Sequence, residues 1–126
     1  MLDIDALAEP RKRLLIGVLR SAMGVVLKMY EPNEFDARSR NHIPVWRRIH
    51  DAIRDDALST LTGDEAEACL DALHGTQYAL GPTELHTVTG YTLREYASAG
   101  LLLFSALKMP FRTYDLVLWS EEGEWL

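Results

Sequence analysis

Between Glu95 and Lys108 the chain carries no charged side chain, and from Ala97 to Leu107 almost every residue is apolar or small. A helix that is apolar on all sides must be buried on all sides. The stretch Leu93–Met109 is too short for a membrane span, which takes about 20 apolar residues. It therefore predicts a central buried helix (about 92–109) against which the other elements pack. Thr92-Leu-Arg-Glu95 has the hydroxyl-then-carboxylate spacing of a capping box and starts this helix, and Pro110 stops it.

The segments before it read as further helices. Ile4 to Glu9 is a short helical lead-in capped by Asp3 or Asp5. Pro10 suits the first position of a longer helix to about Tyr30, with Leu14, Leu15, Val18, Ala22, Val25, Val26 and Met29 at spacings of three and four. Gly17, Ser21 and Gly24 form a second stripe on that helix. Each glycine costs helix propensity, up to about 1 kcal/mol. Either the glycines are merely tolerated, or they let the central helix cross closely at its own small residues, Ala97 and Gly100. Pro32 ends the helix, and residues 33–43 read as loop. Pro44 opens the next helix, to about Leu58, burying Val45, Trp46, Ile49, Ala52, Ile53 and Ala57 and placing Arg47 and Arg48 within pairing distance of Asp51.

Thr62-Gly-Asp-Glu65 is a second capping box, and its helix buries Ala66, Cys69, Leu70 and Leu73. This helix stops at Gly75 or runs to Leu80, with Gly81-Pro82 as the terminator, and a short helix over 82–88 ends at Gly90. After Pro110 the composition turns to β-branched and aromatic residues: Thr113–Trp119, a turn at Ser120–Gly123 and a return strand at 124–126. A helix over 113–122 competes with that hairpin. The expected fold is mainly α. It is a compact bundle of about five helices around the central one, with a C-terminal β-hairpin (about 113–126), in a single domain over 1–126.

Arg11-Lys12-Arg13 before a short apolar run has the look of a secretion signal. Asp3, Asp5 and Glu9 ahead of it, and Arg20 inside the apolar run, argue for an ordinary amphipathic helix and a cytoplasmic protein. The one cysteine, Cys69, rules out an internal disulfide and falls on an apolar stripe, where a thiol acts as a small hydrophobe. The four histidines, His42, His50, His74 and His86, lack the spacing of a helical metal pair. No nucleophile elbow, dinucleotide fingerprint or phosphate-binding loop is present, so no cofactor, metal or catalytic residue is expected.

One segment, Glu84-Leu-His-Thr-Val-Thr-Gly-Tyr-Thr-Leu-Arg-Glu-Tyr96 with Gly100-Leu101-Leu102 after it, resembles the helix-turn-helix of MerR-type regulators. The matching residues are Thr89-Gly90, Thr92-Leu93-Arg94, Tyr96 and Gly100-Leu101-Leu102, under a fifth of the chain. The resemblance implies a DNA-binding regulator with a degenerate helix-turn-helix at 82–102. Against it, the turn is about three residues short, and the would-be reading helix runs into the expected core with Arg94 as its only basic residue before Lys108. A recognition helix presents polar and basic side chains to the groove.

Charge carries the first reading. Residues 1–54 hold ten basic and seven acidic side chains, residues 55–126 three and twelve, for a net charge of −6. The acidic excess disfavours binding to phosphate backbones and suits a basic protein partner. Asp55, Asp56, Asp64, Glu65, Glu67 and Asp71 fall within 17 residues around a helix–turn–helix corner. Glu121, Glu122 and Glu124 flank Trp119 and Trp125. Two solvated faces account for these clusters equally simply. The functional expectation is a small acidic protein-binding protein, of the immunity or antitoxin type, that neutralises a basic toxin or nuclease. The acidic corner would supply charge, and Trp119 and Trp125 would be its anchors. Self-association through Leu116 and Leu118 of the hairpin would be open to it. A small enzyme whose Asp or His pairs meet only on folding would leave no mark in such a sequence.

Overall fold

The computed structural model describes residues 1–30 and 41–107. In chain order these form β1 (Leu2–Asp3), a turn of 3-10 helix (Ile4–Ala6), α1 (Glu9–Tyr30), α2 (Ile43–Arg54), β2 (Thr60–Leu61), α3 (Gly63–Thr89) and α4 (Leu93–Phe104). The described residues are mainly helical, with one small antiparallel sheet. The expected hairpin, with Trp119 and Trp125, lies outside the described residues, as does the end of the central helix beyond Leu107.

Among the described residues four helical elements stand where about five were expected, and the third, α3, consists of two helical segments that meet at a kink at Gly81, where the sequence reading placed the stop. Gly81 takes φ 68° and ψ 166° inside α3, a region essentially reserved for glycine, and Pro82 follows it without an N–H to donate. Both capping boxes form: the Thr62 and Thr92 hydroxyls each accept from a backbone N–H three residues on at 3.2 Å, and Glu65 and Glu95 return a bond to the cap N–H at 2.9 Å. Gly90, at φ 79°, closes α3 with its N–H on the His86 carbonyl. α2 ends at Arg54, four residues before the expected Leu58, because Asp56 turns the chain with φ 53°.

The central position belongs to α1 and α3, not to the apolar helix. α1 and α3 pack on each other, and each also packs on α2 and α4. α4 buries Tyr96, Ala97, Ala99, Gly100, Leu103 and Phe104, while Arg94 is exposed and Leu93, Leu101 and Leu102 are half-buried. The small residues Ala97, Ala99 and Gly100 face inward and the leucines at 93, 101 and 102 border solvent, so the absence of charge overstates the enclosure of this helix. α1 supplies Leu15, Val18, Leu19, Ala22, Met23 and Val26 to the core. From α2, Trp46 is 1% exposed and gives its indole N–H to the Ala68 carbonyl of α3 at 2.8 Å, the polar partner a buried indole needs.

The sheet was not foreseen. Leu2 pairs with Leu61 and Asp3 with Thr60, and Ile4 donates to the Ser59 carbonyl at 2.8 Å. Leu2, Ile4 and Leu61 are all buried, so the start of the chain is tied across the α2–α3 connection by side chains as well as by backbone.

Candidate binding surfaces

The acidic corner divides in two. Asp55 is held by Arg54 at 3.1 Å, which keeps the Asp55 carboxyl below the usual carboxylate range and the Arg54 guanidinium above its own. Asp56, beyond the end of α2, acts electrostatically on Lys12 of α1. Glu65 is spent on its capping box and on Arg48 at 3.4 Å. Burial opposes its ionisation, but the Thr62 bonds and Arg48 outweigh that and leave its carboxyl low. Asp71 Oδ2 lies 2.9 Å from His42 Nδ1. Arg48 pairs with Glu65 of α3 at 3.4 Å rather than with Asp51, to which Arg54 also comes within 3.4 Å.

A stripe of side chains runs along α3, exposed at Asp64, Glu67 and Tyr78 and half-buried at Asp71 and His74. Asp64, Glu67, Asp71, His74 and Tyr78 follow one another at steps of three and four, so they share one helix face. Tyr78 at the end of that stripe is 96% exposed. The expected residues Asp64, Glu67 and Asp71 are thus brought together, while Asp55 and Asp56 stand apart from them beyond β2. Tyr78 escaped the sequence reading. The signal for it was a large aromatic out of phase with Leu70, Leu73 and Gln77, which are buried.

A second surface lies on α1. Gly17, Arg20, Ser21, Gly24, Val25 and Lys28 line one side of a groove of about 520 Å³. His50 of α2, Val88 and Thr89 of α3 and the connecting Tyr91 complete it. Of the two readings of the small residues, close covering of the glycines by α4 is not what stands at Gly17 or Gly24, and the stripe reaches α4 through Ser21 and Tyr96. Tyr91 covers Gly17, and a Cβ at Gly24 would meet nothing within 4 Å. Ser21 donates to the Val18 carbonyl at 2.8 Å, leaving its oxygen to accept from the Tyr96 hydroxyl at 2.6 Å. Burial pushes the Tyr96 phenol up, against the bonds from Ser21 and Thr89.

The segment compared with a helix-turn-helix does form two helices joined by three residues, Gly90 to Thr92. An open hollow of about 510 Å³ between them is lined by Pro82, Thr83, His86, Thr87, Thr92, Leu93 and Arg94. α4 turns most of its length into the core and carries Arg94 as its one basic residue. Cys69 is fully buried, with its thiol pushed far up by burial and, secondarily, by Glu65. Among the described residues no three His, Cys, Asp or Glu side chains gather as a metal-holding group, and no helix is long and apolar enough to cross a membrane. Comparison with protein-family models, with curated proteins and with solved structures returns no match to this chain.

Proposed function

We propose that the protein is a small non-catalytic binding domain that captures a basic protein partner on the outward face of α3. The observation that carries this reading is Tyr78, almost wholly exposed at the end of the Asp64–Glu67–Asp71 stripe. Carboxylates on such a face speed the encounter with a basic surface, and an exposed aromatic supplies the anchor that holds it. The concrete form is an inhibitor of the immunity or antitoxin type, neutralising a basic toxin or nuclease. One buried thiol without a second cysteine suits a reducing, cytoplasmic setting.

The test is affinity capture from a lysate of the source cells, with wild type, Tyr78→Ala and the double reversal Asp64→Lys/Glu67→Lys compared at low and high salt. A basic protein should be recovered by wild type. Tyr78→Ala should weaken its binding by about 2 kcal/mol, roughly thirtyfold, as truncating an anchor does. The double reversal should slow association mainly at low salt. Equal recovery by all three forms would exclude this face.

A further inference from the structure

We propose that the groove on α1 is a binding site for a phosphorylated small molecule of nucleotide size, held between Arg20 and Lys28. The proposal is independent of the α3 face. Lys12, Arg13, Arg48 and Arg54 each pair with a carboxylate within 4 Å. Arg20 and Lys28 make no such pair among the described residues, and both border the same groove, whose lining includes no carboxylate. Two unpaired cations around one hollow raise its potential and favour an anion there.

The shape supports an organic anion over a bare ion. Arg20, Gly24 and Lys28 follow at steps of four on α1, so the two cations stand about 12 Å apart along the axis, at 1.5 Å per residue. Between them the floor is Gly24, with open space where a side chain would be. The volume of about 520 Å³ lies in the range of small-molecule sites. Arg20 offers a planar fork that matches phosphate oxygens bidentately, and Lys28 a mobile ammonium. Val25, Val88 and Tyr91 give the ligand's body an apolar wall, and Val88 is 60% exposed without one. The Ser21–Tyr96 bond beneath holds the floor in place, and the Ser21 proton is already committed to Val18. The charged side chains, not that hydroxyl, are therefore the ligand's donors.

The experiment is a titration of the whole protein with ADP, followed by amide NMR shifts and calorimetry at low salt. Saturable shifts should centre on the Ser21, Gly24, Thr89 and Tyr91 amides, with a Kd below about 1 mM. Arg20→Ala/Lys28→Ala should weaken binding at least about tenfold. Gly24→Leu should abolish it while the fold survives, because the new side chain enters empty space. Arg94→Ala, in the other hollow, should leave it unchanged. No saturable change up to about 10 mM ADP would overturn the site. So would equal affinity in the Arg20/Lys28 variant, or a loss in Arg94→Ala alone.

Discussion

Two glycines seven residues apart on α1 should respond oppositely to the same methyl group. Replacing a helix-interior glycine by alanine ordinarily gains about 0.5–1 kcal/mol, because the unfolded chain loses freedom it would otherwise give up on folding. At Gly24 the methyl meets nothing within 4 Å, so the full gain should appear, a rise in Tm of about 3–5 °C for a chain of this size. At Gly17 the methyl would run into the Tyr91 hydroxyl and lie 2.8 Å from its Cζ. The Tyr91 ring must swing away. It is half-buried, and giving up half of a burial worth about 1.5–3 kcal/mol costs roughly 1 kcal/mol, which cancels or reverses the gain. The two variants should therefore differ by about 1 kcal/mol or more in urea unfolding, outside the scatter of such measurements. In a Tyr91→Ala background the difference should vanish, since the obstacle is gone. A loss of stability in Gly24→Ala would show that side of α1 to be covered, and equal effects in the parent background would refute the Tyr91 contact.

Two further outcomes follow from backbone strain and from buried ionisable groups. Gly81→Ala should cost about 1–3 kcal/mol by urea unfolding, since φ 68° with ψ 166° is closed to alanine; Gly90→Asn, at a left-handed position that asparagine tolerates, should cost less. Raising the pH should destabilise the fold from about pH 9 upward. The folded protein keeps the proton on Cys69 that the unfolded chain releases, so stability present below the unfolded thiol's pKa falls at up to about 1.4 kcal/mol per pH unit above it. Tyr96, raised chiefly by burial, adds to the fall nearer pH 10. Cys69→Ala should flatten the profile between about pH 9 and 10, and an unchanged slope there would mean the thiol is not the group responsible.

The parts of the fold that could be read from the chain are those written in a few consecutive residues. Thr62 with Glu65, Thr92 with Glu95, Gly81 before Pro82 and the terminal Gly90 are local contracts between side chain and backbone, and each is kept. What escaped is non-local. Arg48 reaches Glu65 on another helix instead of Asp51 one turn away, because tertiary packing of α2 on α3 decides which carboxylate is near. β1 and β2 are two residues each, too short to show alternation. The α1 groove draws Arg20, His50 and Tyr91 from separate elements, and no spacing rule links them. Of the predicted site, Asp64, Glu67 and Asp71 share a face because helix periodicity puts them there. Asp55 and Asp56 are set apart from them by the left-handed turn at Asp56 itself and by β2, neither of which the sequence announces.

The bridge between residues 2 and 61 also bears on the order in which the molecule assembles. Closing a loop of about 60 residues costs roughly 3–4 kcal/mol of chain entropy, and a pair of two-residue strands cannot repay that alone. The bridge must therefore form after α1 and α2 have docked and brought the two ends close. On the ribosome, Leu2 and Ile4 emerge well before Leu61 exists, and they remain unsheltered through the synthesis of both helices. In the finished protein the same contact should be among the first to open, so its amides should exchange with solvent ahead of those in the α1–α3 core. A bulky fusion placed directly before Leu2 would then slow the last step of folding more than it lowers the stability of the folded protein.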